Sequence, residues 1–171
     1  NGELARRISV RVAFKVIGLP EEDADRAAEL VGLAFDRSPE IKGPNERALD
    51  AQAELHGYLK GQIEARQKSP GQGDLLDQLI AYEFEGEKLP FAQLLSNIYL
   101  VVVGGTETLP KVFAGGVYQL WKHPDQRAEL AKDLSLAEDA FWEMLRFEMP
   151  TLMLGACAEQ ETEIGGGTKI A

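Results

Sequence analysis

Val101-Val102-Val103-Gly104-Gly105-Thr106-Glu107-Thr108-Leu109-Pro110 sits in the middle of the longest apolar segment of the chain, Pro90 to Lys122, and its reading decides what kind of molecule this is. The segment is apolar on all sides at its centre, the pattern of a long central helix buried in an α-rich core. Two adjacent glycines there cost helix stability of about 1 kcal/mol each relative to alanine, so something must require them. Glycine lets another body approach the backbone closely, and Pro110 removes the hydrogen bond that the Thr106 carbonyl would otherwise accept, which predicts a local distortion. A carboxylate beside a hydroxyl at such a place, Glu107 and Thr108, is a workable proton relay next to a buried reactive centre. The other reading is helix packing: small residues where two helices touch, Glu107 reaching solvent, and Thr108 bonding back to a carbonyl.

Working outward, apolar residues recur at helical spacing through about six helices before a short extended tail, so the class is mainly α. A first helix through Ile8, Val12, Val16 and Ile17 stops at Gly18-Leu19-Pro20, where glycine ends a helix and proline can open the next. A second runs from Glu21 through Leu30 and Phe35, and residues 38–45 form a loop with Pro39, Gly43 and Pro44. Ala48, Ala51, Leu55, Tyr58, Leu59 and Ile63 mark a third helix that ends in basic Arg66 and Lys68. Leu75 to Phe84 reads as a short fourth, closed by the polar turn Glu85-Gly86-Glu87-Lys88. After the central helix, His123-Pro124 breaks the chain and starts a helix over Asp125 to Asp133. Ser135, with Glu138 three residues on, predicts a capping box for the last helix, Leu136 to Phe147. Gly165-Gly166-Gly167 reads as a turn between two strands. Length predicts a single domain over residues 1–171.

Charge narrows the function. With 28 acidic against 18 basic residues and a net charge of −10, a phosphate-binding surface is disfavoured, and nucleic acid is not an expected partner. The longest uninterrupted apolar run, Ile98 to Val103, is six residues, against roughly 18 or more for a bilayer span, so no membrane partner is expected. The lone Cys157 cannot form an intrachain disulfide, and a reducing cytoplasm is the expected location. One thiol, with His56 and His123 lacking partners at ligand spacing, predicts no protein-held metal site of the zinc kind. His56, mid-helix beside Glu54 and Lys60, is expected to be solvated.

Glu143-Met144-Leu145-Arg146, taken alone, reads as an exposed helix pair. Taken in order with the rest, it resembles a motif of the cytochrome P-450 family. That family's small-Gly-x-acid-Thr pattern matches Gly104, Gly105, Glu107 and Thr108, and its Glu-x-x-Arg matches Glu143 and Arg146, followed by a proline and an apolar strand. Trp121-Lys122-His123-Pro124-Asp125-Gln126-Arg127 looks like the helix junction of bacterial members, and Ile17-Gly18-Leu19-Pro20-Glu21-Glu22-Asp23 is similar to the entry into the helices that cap the substrate pocket.

The resemblance implies a partial cytochrome P-450 fold with a long central helix and a short β tail. It implies a haem-thiolate monooxygenase that inserts one oxygen atom of O2 into a small organic, apolar substrate, with a ferredoxin or flavodoxin-type electron donor. Gly104 and Gly105 would lie against the haem, Thr108 would hydrogen-bond bound oxygen or its water, and Glu107 would help relay protons. Glu143 and Arg146 would be structural, in a buried ion-pair network. Val101, Leu152, Met153 and Leu154 would line the substrate pocket, with Leu30 and Phe35 in its roof. The family's Phe-x-x-Gly-x-x-x-Cys-x-Gly stretch, which supplies the axial thiolate, is not found in the sequence, and Cys157 lacks its context. The chain is therefore expected to be an internal segment, inactive alone, and a haem-free helical remnant acting as a binding or scaffold module is the competing reading.

Overall fold

The structure is a computed structural model and describes residues 2–71, 73–151, 158 and 160–170. Its first helix, α1 (Gly2–Ile17), ends where glycine was expected to end it. Gly18 takes φ +91°, and the amides of Gly18 and Leu19 both donate to the Phe14 carbonyl at 2.8 and 2.9 Å, a Schellman closure with Phe14 and Leu19 buried side by side. A 3-10 turn, Glu21–Asp23, leads into α2 (Ala24–Ala34). α3 (Glu46–Lys68) starts on Asn45, whose side chain accepts the Ala48 amide at 2.8 Å, an N-cap.

α4 (Leu75–Ala81) is shorter than its apolar spacing predicts. Residues 83–88 form a hairpin, β1 (Glu83–Phe84) antiparallel to β2 (Glu87–Lys88). Glu85 and Gly86 at its tip both have positive φ, 52° and 84°, the geometry a tight two-residue turn requires. α5 (Phe91–Lys122) is helical across Pro110. Its partners are α1, α2, α3, α4, α6 (Pro124–Lys132) and α7 (Ala137–Phe147), so it is the central helix. The expected Ser135 capping box gives way to a 3-10 turn over Leu134–Leu136, where Asp133 accepts both the amide and the hydroxyl of Ser135. β3 (Thr162–Ile164) and β4 (Thr168–Ile170) pair antiparallel across the three glycines.

The core joins Val10, Phe14 and Ile17 of α1, Leu30 and Val31 of α2, Leu55, Leu59 and Ile63 of α3, Leu76 of α4, and Leu94, Ile98 and Val102 of α5. Ion pairing ties α2 to α3 through Arg26 and Glu54 at 2.7 Å, and the Tyr58 hydroxyl donates to Asp23 at 2.9 Å. Arg66, read from sequence as a basic helix end, turns inward instead. It is 8% exposed, meets Asp74 at 2.6 Å and Asp77 at 3.2 Å, and donates to the Gly18 carbonyl at 2.8 Å. Asp74 also caps α4. A Cβ on Gly18 would fall 1.8 Å from Asp74, so space as well as backbone angle demands glycine there.

Among the described residues α5 is covered on one side only. Leu100, Tyr118 and Trp121 are 68%, 54% and 66% exposed, because the described elements cover one side of the helix and leave the other open.

Candidate functional site

The open side of α5 carries the motif. Leu100, Gly104 and Thr108 stand four residues apart and so form one row along the helix. Gly104 is exposed, and a Cβ built on it would meet nothing within 4 Å, so its backbone is accessible to a flat body. Val101, which was singled out in the sequence, borders the cleft described below, whereas Leu100 was not singled out. The signal was present in the four-residue step back from Gly104.

Gly105 is the one that faces α1. A Cβ there would lie 2.6 Å from the Cβ of Ala13 on α1, so the glycine is spent on letting two helices touch. A step of about 100° per residue brings Gly105 closer to α1 than Gly104, yet both glycines border one cleft with Thr108. The Gly105 carbonyl accepts a hydrogen bond from the hydroxyl of Ser9, which is 3% exposed. The threonine that bonds back to a helical carbonyl is Thr106, whose hydroxyl donates to Val102 at 2.6 Å. Thr106 is buried, and Thr108 is half-buried.

Between α1, α5 and α7 runs an apolar cleft of about 460 Å³. Thr108 and Gly104 line it together with Val12 and Val16 of α1, Val101 and Leu109 of α5, and Trp142 of α7. Val101 thus stands on the α1 lip of this cleft. Leu30 of the expected roof is enclosed in the core at 3% exposure, while Phe35 is open at 48%.

Glu107 is mostly enclosed and pairs with Lys111 one turn on, at 2.8 Å. Acid first and base second is the favourable orientation of such a pair. The Lys111 ammonium also lies 5.8 Å from the centre of the Phe35 ring, so the carboxylate and the end of α2 share one cation. Glu143 and Arg146 do find each other, through two hydrogen bonds of 2.7 Å. Among the described residues the pair is open to water, its side chains 61% and 68% exposed. The Arg146 guanidinium holds the Glu143 carboxyl below its ordinary pKa, by hydrogen bonding first. His56, expected to be solvated, stacks on Tyr99 at 4.4 Å and 9° and makes a 2.8 Å contact with the Gln52 carbonyl. Leu152, Met153, Leu154 and Cys157 lie outside the described residues.

No family model matches the chain. Curated relatives do. Vitamin D(3) 25-hydroxylase of Pseudonocardia autotrophica is 34% identical over 148 residues, 86% of this chain and 36% of that protein. The cytochrome P-450 monooxygenase PikC of Streptomyces venezuelae is 36% identical over 151 residues, 86% of this chain and 34% of its own length. Among solved structures, the cytochrome P-450 PksS of Bacillus subtilis 168 superimposes with a TM-score of 0.81 at 26% identity, over 98% of this chain and 42% of that one. The open form of EryK from S. erythraea gives the same TM-score at 25% identity, over 98% and 43%. The chain therefore spans about a third to two fifths of the length of the proteins it matches.

Proposed function

We propose, since this chain belongs to the cytochrome P-450 family, that the whole protein is a haem-thiolate monooxygenase and that these residues supply the helix over the oxygen-binding face of its haem. The observation that carries the reading is the row Leu100, Gly104, Thr108: an apolar side chain, a bare stretch of backbone and a hydroxyl, in that order, on the open side of α5. A bare glycine backbone with an apolar neighbour fits the flat, greasy face of a porphyrin. Haem with an axial thiolate supplies the activation of O2, the thiolate pushing electron density that favours cleavage of the O–O bond.

The residues of this chain have the remaining tasks. Gly104 gives room for the macrocycle. Thr108 holds a proton donor, its own hydroxyl or a water bound to it, at the oxygen side. Glu107, kept in place by Lys111, hands protons inward from solvent. Leu100 with Val101 gives an apolar wall that favours an apolar organic substrate. Electrons come from a ferredoxin or flavodoxin-type donor, in a reducing cytoplasm. Glu143 and Arg146 serve structure, becoming enclosed where the rest of the domain packs on α7. All 171 residues form part of one domain. No observation favours the haem-free helical module.

The test is the full-length protein, reduced and exposed to CO. A Soret band of the thiolate type is expected, and a band of the histidine-ligated type overturns the assignment. In the same protein Thr108→Ala is expected to divert electrons from product to hydrogen peroxide.

A further inference from the structure

Ser9 of α1 bonds outside its own helix. A serine within a helix ordinarily turns its hydroxyl back to a carbonyl of its own preceding turn. Ser9 instead sends it across to the carbonyl of Gly105, 96 residues away in sequence, from a position only 3% exposed. Ala13, one turn on, is the residue that the missing side chain of Gly105 allows into contact. The bond falls at a weak point of α5. The next carbonyl, that of Thr106, has lost its usual donor to Pro110, and the Val102 carbonyl takes an extra one from the Thr106 hydroxyl. A carbonyl that accepts an outside hydroxyl tilts away from the helix axis and bends the turn that follows. That turn contains Glu107 and Thr108.

We propose that Ser9 is a positioning residue for the proton-handling pair: by holding the Gly105 carbonyl toward α1, it sets the tilt of the 104–108 turn and hence the stance of the Thr108 hydroxyl and Glu107 carboxylate. This rests on the monooxygenase reading above. It gives α1, which carries no part of the motif, a direct hold on the motif's geometry. Ser9 borders the cleft beside Gly105, but its hydroxyl is spent on the Gly105 carbonyl, so its removal acts on proton delivery.

The experiment uses the full-length, haem-loaded protein with Ser9→Ala, Ser9→Thr and Thr108→Ala. One readout is the C–O stretching band of the reduced CO complex, which reports the polar groups facing the bound diatomic. The other is the share of electrons recovered as hydrogen peroxide. Ser9→Ala is expected to move the band and raise the peroxide share by roughly tenfold, a modest part of what a misplacement of about 1 Å can cost, with KM unchanged. Ser9→Thr keeps the hydroxyl and is expected to behave as wild type. If Ser9→Ala matches wild type in both readouts while Thr108→Ala departs, the proposal is wrong and the monooxygenase reading stands. If Thr108→Ala also matches wild type, the role given to Thr108 fails and takes the proposal with it. Should Ser9→Ala not fold, the near-isosteric Ser9→Cys, a weaker donor, is read in the same way, and its coincidence with wild type overturns the proposal.

Discussion

The two ends of α5 live in different surroundings. Its first half is packed among α1, α2, α3 and α4, where Leu94, Ile98 and Val102 are at most 3% exposed and join one continuous core. Beyond Gly116 the described structure has no buried residue: α6, the 134–136 turn, α7 and β3 contain none. Trp121, Leu134, Trp142 and Phe147 are instead 59% to 75% exposed. α7 carries its apolar residues in the same helical rhythm as the first half of α5, so pattern does not separate those two. What separates them is the supply of partners. An amphipathic stripe buries itself only where a second stripe reaches it, and the C-terminal helices meet α5 and little else among the described residues.

This contrast can be broken by measurement on the 171-residue chain. Arg66→Ala should have the largest effect, a loss of about 3 kcal/mol in urea unfolding, because it strands Asp74 and Asp77 beside a buried junction. A loss below about 1 kcal/mol would mean that the junction is not closed. Leu55→Ala should cost about 2 to 4 kcal/mol by opening a cavity, whereas Trp142→Ala, a larger deletion, should stay within about 0.5 kcal/mol. Equal losses would erase the distinction between the two regions. Gly105→Ala should cost about 1 to 2 kcal/mol through its clash with Ala13, which tests whether the α1 and α5 contact is as close as described.

A smaller, pH-dependent effect belongs to Tyr58. Burial, then the hydrogen bond to Asp23, raises the pKa of its hydroxyl. The neutral form is favoured in the folded state, so its contribution is complete below the ordinary tyrosine value of about 10 and declines as pH rises past it. Unfolding midpoints between about pH 8 and 11 should fall at the alkaline end, and Tyr58→Phe should flatten that fall. Least of all, Glu143→Gln should leave the midpoint of this chain unchanged, since the pair is open to water; in the full-length protein a loss is expected if the pair becomes enclosed.

The sequence was most informative where structure is set locally. Gly18-Leu19-Pro20 ends α1, Pro124 opens α6, and the glycine triplet joins β3 to β4, each through backbone chemistry that neighbours cannot change. The motif at 104–108 was legible as a site, but the sides of its residues were not. Gly104 and Gly105 are alike on paper and differ only in what stands opposite, open space for one and Ala13 for the other. Arg66, His56 and Ser9 were hidden for the same reason, since their partners lie in other helices. The 83–88 hairpin was hidden because Phe84 continues the helical spacing of α4, and the turn chemistry of Glu85-Gly86 overrides it.

The central place of α5 has a consequence for how the chain is made. α1 through α4 have their apolar faces ready before α5 exists, yet much of what covers those faces is α5 itself. At about 5 to 20 residues per second of synthesis, α1 waits on the order of 5 to 20 seconds for the far end of α5 to be added. During that interval the early helices can cover one another but not close, and a nascent chain in that state is a natural client for a chaperone.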